Sequence, residues 1–323
     1  MIDPKRFKSE LISLNENTFE KFALQVFNVQ WTQNQIYRDY CNLLGITSKE
    51  VKTLVDIPFL PITFFKTHEI KTGLWQDQKK FKSSGTTGKR SIHHVKDESL
   101  YHEVAKNIFE QNFGELKDKH ILALLPSYLE QGDSSLVSMV DYFIKESGHG
   151  GFYLDNYNDL KNALTNNPNP KILFGVSYAL LDFIDKTGPL INVENLIIIE
   201  TGGMKGRRKE MIRSELHQMI KSGFHLDDVY SEYGMTELFS QAYGRNGLFS
   251  CPKWAKVMIR DINDPFSYVG NETVGGINII DLANINTISF VETEDLGKIT
   301  KNGFFEVLGR KDNSDIRGCN LLI

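Results

Sequence analysis

Cysteine is scarce in this chain of 323 residues, which contains Cys41, Cys251 and Cys319. Because the three are far apart and odd in number, they argue against a disulfide framework or a structural zinc site. Long hydrophobic runs are also missing, since none approaches the roughly 18 apolar residues that a membrane span needs. The first ten residues are too polar for a signal peptide. We therefore expect a cytoplasmic protein without a membrane span.

The sequence also lacks a large excess of charge of one sign. Its 37 basic and 41 acidic residues leave a formal net charge of -4. This balance gives no electrostatic reason to expect a nucleic-acid partner or a membrane surface. Hydrophobic residues make up 41% of the chain, enough for a sizeable core in one large domain or two modest ones.

The order of apolar patterns predicts an α/β fold. Up to about residue 55 apolar residues recur at helical spacing, as at Phe19, Phe22 and Val26. From about residue 80 onward helices and strands alternate, as in a mostly parallel sheet covered by helices. The predicted helices cover residues 99–113, 134–147, 178–186 and 207–221, and the predicted strands cover residues 120–125, 151–154, 172–176 and 196–199.

The pattern changes after residue 251, where the helical period disappears. Short strands are predicted over 256–261, 276–281, 287–292 and 304–308, separated by Gly and Asn turns. We therefore predict an α/β core over about 80–250 and a smaller β-rich subdomain over about 251–309.

A polar, glycine-rich stretch over residues 82–89 suits a polyphosphate, because glycines let backbone N–H groups turn inward and lysine adds charge. It is not a Walker A loop, which needs a glycine at position 83 and Ser or Thr at position 90. The alternative interpretation is a flexible surface loop. The candidate phosphate-binding residues are Ser83, Ser84, Gly85, Thr86, Thr87, Gly88 and Lys89.

Together with three further motifs, this stretch resembles the adenylate-forming superfamily, which includes acyl-CoA synthetases, firefly luciferase and the adenylation domains of peptide synthetases. The other motifs are Thr-Gly-Gly at 201–203, Tyr-Gly-Met-Thr-Glu at 233–237, and Thr-Glu-Asp-Leu-Gly at 293–297 followed by Gly-Arg-Lys-Asp at 309–312. The resemblance implies an adenylation domain over 1–309, with 310–323 as a hinge and a truncated tail. It further implies that the usual C-terminal lid domain, with its lysine, is lacking.

The same resemblance implies a role for each motif residue, with ATP and Mg²⁺ as cofactors. Gly202 and Gly203 would pack backbone against the adenine, and Tyr233 would stack on it. Asp295 would accept hydrogen bonds from both ribose hydroxyls, and Arg310 would contact the ribose or a phosphate. The implied catalytic roles are as follows: Thr236 donates to the α-phosphate or the substrate carboxylate, Glu237 holds the metal ion, and Lys89 neutralises the departing pyrophosphate.

A closer resemblance is to the acyl-protein synthetase of bacterial luminescence, the subunit of a fatty-acid reductase complex that activates a fatty acid. It rests on residues 57–62, 64–69, 125–130, 134–137, 174–179 and 200–203. It implies transfer of the acyl group to a cysteine near the carboxyl end, whose place Cys319 occupies, and then to a reductase or carrier-protein partner. We expect Cys41 to be a core residue and Cys251 to be structural.

Two other interpretations stay open at this stage. The protein could load its acyl group onto an external thiol, that of coenzyme A or a carrier protein. Alternatively, it could be a degenerate nucleotide-binding subunit of a larger complex.

Overall fold

The computed structural model describes residues 4–83, 89–126, 132–190, 193–204, 207–209 and 211–310, with side chains from residue 7 onward. None of the helices in these ranges is long and apolar enough to cross a membrane. The eight α-helices found there are α1 (Pro4–Ile12), α2 (Glu16–Gln33), α3 (Gln35–Leu43), α4 (Glu98–Phe113), α5 (Ser135–Ser147), α6 (Tyr157–Thr165), α7 (Ser177–Thr187) and α8 (Arg213–Phe224).

The strands of the described ranges form one large sheet and one hairpin. Strands β2 (Lys79–Lys82) and β3 (Ile92–Val95) make the antiparallel hairpin. The strands of the large sheet are β1 (Leu60–Pro61), β4 (His120–Leu124), β5 (Gly150–Phe152), β6 (Lys171–Val176), β7 (Leu196–Thr201), β8 (Tyr230–Tyr233), β9 (Ala242–Arg245), β10 (Leu248–Ser250), β11 (Ala255–Arg260), β12 (Gly275–Asp281), β13 (Phe290–Ile299) and β14 (Phe305–Arg310).

One half of the large sheet is parallel, in the order β5-β4-β6-β7-β8. All six residues of β6 are buried, as expected for a parallel strand covered on both faces. Helix α5 packs on β4, and α7 packs on β6 and β7. The predicted α/β fold with a helix-covered parallel sheet is therefore confirmed. Its carboxyl edge, where β7 and β8 end, is the usual position of a ligand site in such sheets.

The other half of the sheet is antiparallel and contains the strands predicted after residue 251. It runs β8-β9-β10-β14-β13-β12-β11, so both predicted regions belong to one continuous hydrogen-bonded sheet.

The N-terminal helices are attached to this half through buried amides. The Gln30 side chain donates to the Asn284 carbonyl at 3.2 Å and accepts from the Ser289 N–H at 3.0 Å.

Several elements differ from the predictions. The helix predicted from residue 207 begins only at Arg213, because Ile212 before it has extended backbone angles. Arg208, which we expected to lie in that helix, instead forms an ion pair with Asp182. Helix α6 and the β2–β3 hairpin were not predicted, since α6 is short and the hairpin strands have only four residues each.

A buried carboxylate fixes the segment that follows the Tyr-Gly-Met-Thr-Glu motif. Asp281, fully buried at the end of β12, accepts hydrogen bonds from the Phe239 and Ser240 N–H groups, both at 2.8 Å. It also accepts from the Ser240 hydroxyl at 2.7 Å and from the Ala283 N–H at 3.2 Å. The antiparallel half of the sheet thus positions the chain just beyond residue 237.

Replacing Asp281 by Ala should lower the free energy of unfolding by about 3 kcal/mol, because several buried donors lose their acceptor together. Urea unfolding followed by circular dichroism measures this change. The matched control is Asp264→Ala, which removes an exposed carboxylate from a turn and should cost less than about 1 kcal/mol. Equal losses in the two variants would contradict the anchoring role of Asp281.

Candidate active site

The described ends of the predicted phosphate-binding stretch, Ser83 and Lys89, lie between strands β2 and β3. Ser83 follows β2, and its hydroxyl accepts from the Ser91 N–H at 3.0 Å, while the Ser83 N–H donates to the Ser91 carbonyl at 3.1 Å. Lys89, on the returning side, is exposed. Residues 84–88, which contain the predicted Ser84, Gly85, Thr86, Thr87 and Gly88, lie outside the described residues. The two described ends of the stretch are held together at the base of the loop.

A cavity of about 1380 Å³ opens at the carboxyl edge of the parallel strands. Its walls combine the β2–β3 hairpin, the ends of β7 and β8, and parts of β13 and β14. The sequence-predicted residues that line it are Ser83, Lys89, Gly202, Gly203, Tyr233, Thr236, Glu237, Asp295 and Arg310. Segments more than 200 residues apart in the sequence therefore meet in one cavity.

Tyr233, Asp295 and Arg310 form a connected group on one side of the cavity. The Tyr233 hydroxyl donates to Asp295 Oδ2 at 2.7 Å, and Arg310 Nε lies 3.2 Å from Asp295 Oδ1. Asp295 and Arg310 face each other across the β13–β14 pair, and the Tyr233 ring packs against Phe249 and Phe305. Burial, together with the adjacent Asp295 carboxylate, raises the pKa of Tyr233, so its hydroxyl stays protonated and keeps donating.

Glu237 is a buried carboxylate, only 6% exposed. Burial raises its pKa, while a hydrogen bond from Ser91 and the charges of Arg310 and Lys66 act in the opposite direction. Among the described residues, no basic side chain forms an ion pair with Glu237. A carboxylate that faces a cavity without a paired base fits a hard cation such as Mg²⁺, which prefers carboxylate and phosphate oxygens.

A buried histidine, which we did not predict as part of the site, holds the neighbouring backbone. His93 Nδ1 lies 2.7 Å from the Thr236 carbonyl, and Nε2 lies 3.1 Å from Asn284 Oδ1. Burial lowers the pKa of His93 to about 4, so the ring is neutral near pH 7. Nδ1–H can then donate to the Thr236 carbonyl, while Nε2 can accept from the Thr287 hydroxyl, which lies 3.1 Å away. Asn284 also donates to the Glu237 carbonyl at 2.9 Å, so both backbone carbonyls are fixed.

Of the three cysteines, Cys41 and Cys251 lie among the described residues. Cys41 is fully buried in the core, as predicted. Burial raises the pKa of Cys251 to about 12, which makes its thiol a poor nucleophile. Cys319 lies outside the described residues.

Two glutamates in the cavity wall were not predicted as site residues: Glu200 on β7, which is buried, and Glu232 on β8, which is partly buried. Each stands directly beside a motif, Glu200 before Thr-Gly-Gly and Glu232 before Tyr233. For Glu200 the signal available in the sequence was an acidic residue after an apolar run in the same strand, which is unusual enough to indicate a function. The sequence of β8, Tyr-Ser-Glu-Tyr, gives no such contrast for Glu232.

The fold resembles that of solved ligases. A 2-hydroxyisobutyryl-CoA ligase in complex with 2-HIB-AMP and CoA superposes with a TM-score of 0.69 at 14% identity, covering 96% of this chain and 70% of the ligase. ATP-bound MatB from Rhodopseudomonas palustris gives 0.54 at 17% identity over 72% of this chain, and MenE from Bacillus subtilis with ATP and magnesium ion gives 0.51 at 18% over 72%. The chain spans 47% of MatB and 50% of MenE. These similarities define the fold class of adenylate-forming ligases.

The sequence itself identifies the family within that class. A family model described as acyl-protein synthetase, LuxE, matches residues 7–121 and 129–323. The chain therefore belongs to the LuxE acyl-protein synthetase family, a family of ATP-dependent ligases, which confirms the resemblance stated above. A search of curated proteins gives no match.

Proposed function

We propose that the protein uses ATP to activate a carboxylic acid as its acyl-adenylate. The observation that supports this most is the buried Glu237 carboxylate, which has no ion pair with the described residues and lies in one cavity with Lys89 and the Tyr233–Asp295–Arg310 group. This arrangement combines a carboxylate for a cation, a lysine for phosphate charge and polar groups for a ribose, which are the residue types that a nucleoside triphosphate with its cation requires. Membership of the LuxE family and the fold of adenylate-forming ligases support the same proposal.

The proposed reaction is a displacement at phosphorus. A carboxylate oxygen of the acid attacks the α-phosphorus of ATP, the bond from that phosphorus to the bridging oxygen breaks, and pyrophosphate leaves with the electron pair. No general base is needed, because the acid is already ionised near neutral pH. The protein contributes alignment and charge neutralisation, with Thr236 at the reacting groups and Lys89 beside the departing phosphates.

Glu237 is the residue that would hold Mg²⁺, since it is buried, faces the cavity and lacks a paired base among the residues described. When bound, the ion supplies positive charge to the phosphate oxygens. On the other side of the cavity, Asp295 would accept from the ribose hydroxyls, and the Tyr233 ring would stack on the adenine.

The second proposed step transfers the acyl group to Cys319. The thiolate attacks the carbonyl carbon of the acyl-adenylate, the carbon–oxygen bond to AMP breaks, and AMP leaves while a thioester forms. An acyl-accepting reductase or carrier protein in the cytoplasm is the proposed final acceptor, and a fatty acid is the acid that the family resemblance predicts. The competing candidate is direct transfer to coenzyme A or a carrier protein.

Trapping of the intermediate tests the first step. The protein is incubated with ATP, magnesium, hydroxylamine and single carboxylic acids, and acyl hydroxamate and AMP are quantified. Equal, acid-dependent yields of the two products support an acyl-adenylate. Release of ADP in place of AMP would contradict the proposal, because it would indicate an acyl-phosphate.

Replacing Asp295 by Asn should raise the KM for ATP by about tenfold, because an acceptor for two ribose hydroxyls becomes partly a donor and the contact to Arg310 weakens. Initial rates measured against ATP concentration provide this value. Tyr233→Phe, which removes only the hydroxyl that donates to Asp295, serves as the milder comparison and should change KM less. An unchanged KM in Asp295→Asn would exclude Asp295 as a ribose ligand.

A further inference from the structure

The cavity wall contains a lysine that the proposed mechanism does not use. Lys66 is the last residue of a short 3₁₀-helix, Ile62–Lys66, and it is exposed and lines the cavity. Its ammonium group forms no ion pair or hydrogen bond with any described residue. Lys82 lines the same cavity but is paired with Asp133 at 2.8 Å. An unpaired ammonium group in a cavity wall fits an anionic ligand such as a phosphate.

The segment that contains Lys66 is fixed to the rest of the cavity. Strand β1, which precedes the 3₁₀-helix, pairs with β13, and the helix itself contacts β3 and β13. Phe65 is 1% exposed and packs edge-on against the His93 ring, with a distance of 5.6 Å between the ring centroids. His93 Nδ1 in turn lies 2.7 Å from the Thr236 carbonyl. The end of the 3₁₀-helix is therefore held beside residues 236–237.

Lys66 and the predicted phosphate-binding stretch lie near the same carboxylate. The Ser91 side chain is hydrogen-bonded to Glu237, and the Ser91 N–H donates to the Ser83 hydroxyl at 3.0 Å, at the described start of that stretch. Burial raises the pKa of Glu237, and the charge of Lys66, like that of Arg310, opposes this rise. The Lys66 ammonium group is thus within electrostatic reach of Glu237. A phosphate group that shares a cation with Glu237 would come close to Lys66.

We propose that Lys66 binds the β- and γ-phosphates of ATP and is a further catalytic residue for formation of the acyl-adenylate. This inference rests on the proposed function and adds a residue to it. An ammonium group has three donors and no acceptor, which suits phosphate oxygens. When the bond from the α-phosphorus to the bridging oxygen breaks, the electron pair and its negative charge move to pyrophosphate. Lys66 neutralises that charge from the Glu237 side, and Lys89 does so from the side of the β2–β3 hairpin.

Pyrophosphate exchange with the variant Lys66→Met tests this role. Methionine keeps an unbranched side chain of similar length but has no charge. At saturating magnesium we expect kcat/KM for ATP to fall at least about 30-fold, with the KM for the acid changed less than about threefold. Lys66→Arg keeps the charge and should recover part of the loss. A loss below about threefold in Lys66→Met, or a rise confined to the KM for the acid, would overturn the inference.

The control is Lys52→Met, which removes an exposed lysine of the same N-terminal segment that does not line the cavity. It should change kcat/KM for ATP less than about twofold. Because both lysines are exposed, the two variants should keep the melting temperature of the unmodified protein within about 2 °C. A selective loss of activity in Lys66→Met then reflects the missing ammonium group.

Binding of two nucleotides locates the contact without any turnover. Titration calorimetry in the presence of magnesium measures ATP and AMP on the unmodified protein and on Lys66→Met, with no acid added. We expect the Kd for ATP to rise at least about tenfold and the Kd for AMP to change less than about twofold, because AMP lacks the β- and γ-phosphates. Equal changes for the two nucleotides, or an unchanged Kd for ATP, would overturn the inference.

Together these measurements separate failure of the inference from failure of the proposed function. If no acid supports exchange in the unmodified protein, the proposed function fails, and the comparison of ATP with AMP still decides the role of Lys66. If exchange occurs but Lys66→Met retains the kinetics and the ATP affinity of the unmodified protein, the inference alone fails. If the unmodified protein binds neither nucleotide, both fail. If Lys66→Met does not fold, Lys66→Gln replaces it in the same comparisons.

Discussion

Replacing Glu237 by Gln should reduce acid-dependent ATP–pyrophosphate exchange by about 100-fold or more, while the protein remains folded. The reason is that the amide keeps the size of the side chain and its hydrogen bond with Ser91 but loses the charge that a magnesium ion requires. Exchange rates at increasing magnesium concentration measure the effect, and the variant should need more magnesium than the unmodified protein. A loss smaller than about threefold would exclude Glu237 as the metal ligand.

Stability distinguishes this role from a structural one. Because burial raises the pKa of Glu237 in the folded state, the ionised carboxylate opposes folding, and this cost appears as the pH rises above the ordinary range of a glutamate pKa. The Gln variant does not ionise there. We therefore expect its melting temperature at pH 7 to equal or exceed that of the unmodified protein, and the difference to shrink at acidic pH. A large drop in melting temperature would indicate that Glu237 serves the fold.

Replacing Cys319 by Ser should abolish covalent acylation of the protein and leave pyrophosphate exchange within about twofold, because the thiol acts only after the adenylate has formed. Intact mass spectrometry after incubation with ATP and an activated acid measures the adduct. The control is Cys251→Ser, which should still become acylated, since burial raises the pKa of Cys251 to about 12 and keeps its thiol unreactive.

Two other results of that experiment would redirect the mechanism. An acyl adduct that persists in Cys319→Ser would place the acceptor on another residue. Exchange without an adduct in the unmodified protein, together with acyl-CoA formation when coenzyme A is added, would favour the external-thiol alternative.

The sequence predicted the elements whose signal is local. Buried strands such as β6 stand out as apolar runs between turn residues, and the motif residues around the cavity can be recognised wherever they lie along the chain. The predicted start of helix α8 lay too early in the chain because the basic residues before the helix have a composition typical of helices. The helix begins at Arg213 because Ile212 has extended backbone angles, which are known only from the folded chain. The four-residue strands of the β2–β3 hairpin carry too little pattern to predict.

The functional details that escaped prediction depend on distant pairings. The Tyr233–Asp295 hydrogen bond joins residues 62 positions apart and exists only because β8 and β13 belong to one sheet. His93 contacts Thr236 across 143 positions. The hydrogen bond from Thr201 to Glu232 likewise depends on the register between β7 and β8. No local pattern encodes such registers, because many pairings satisfy the same alternation of side chains.

Pyrophosphate exchange shows directly whether this protein forms an acyl-adenylate. The protein is incubated with ATP, magnesium and labelled pyrophosphate, with alkyl, aryl, hydroxy and amine-bearing carboxylic acids supplied one at a time. The same assay is run on Glu237→Gln and on the control Glu103→Gln, which removes a surface carboxylate that pairs with Lys8. We expect label in ATP only when a suitable acid is present, in the unmodified protein and in Glu103→Gln but not in Glu237→Gln. Binding of ATP without exchange for any acid would contradict this expectation.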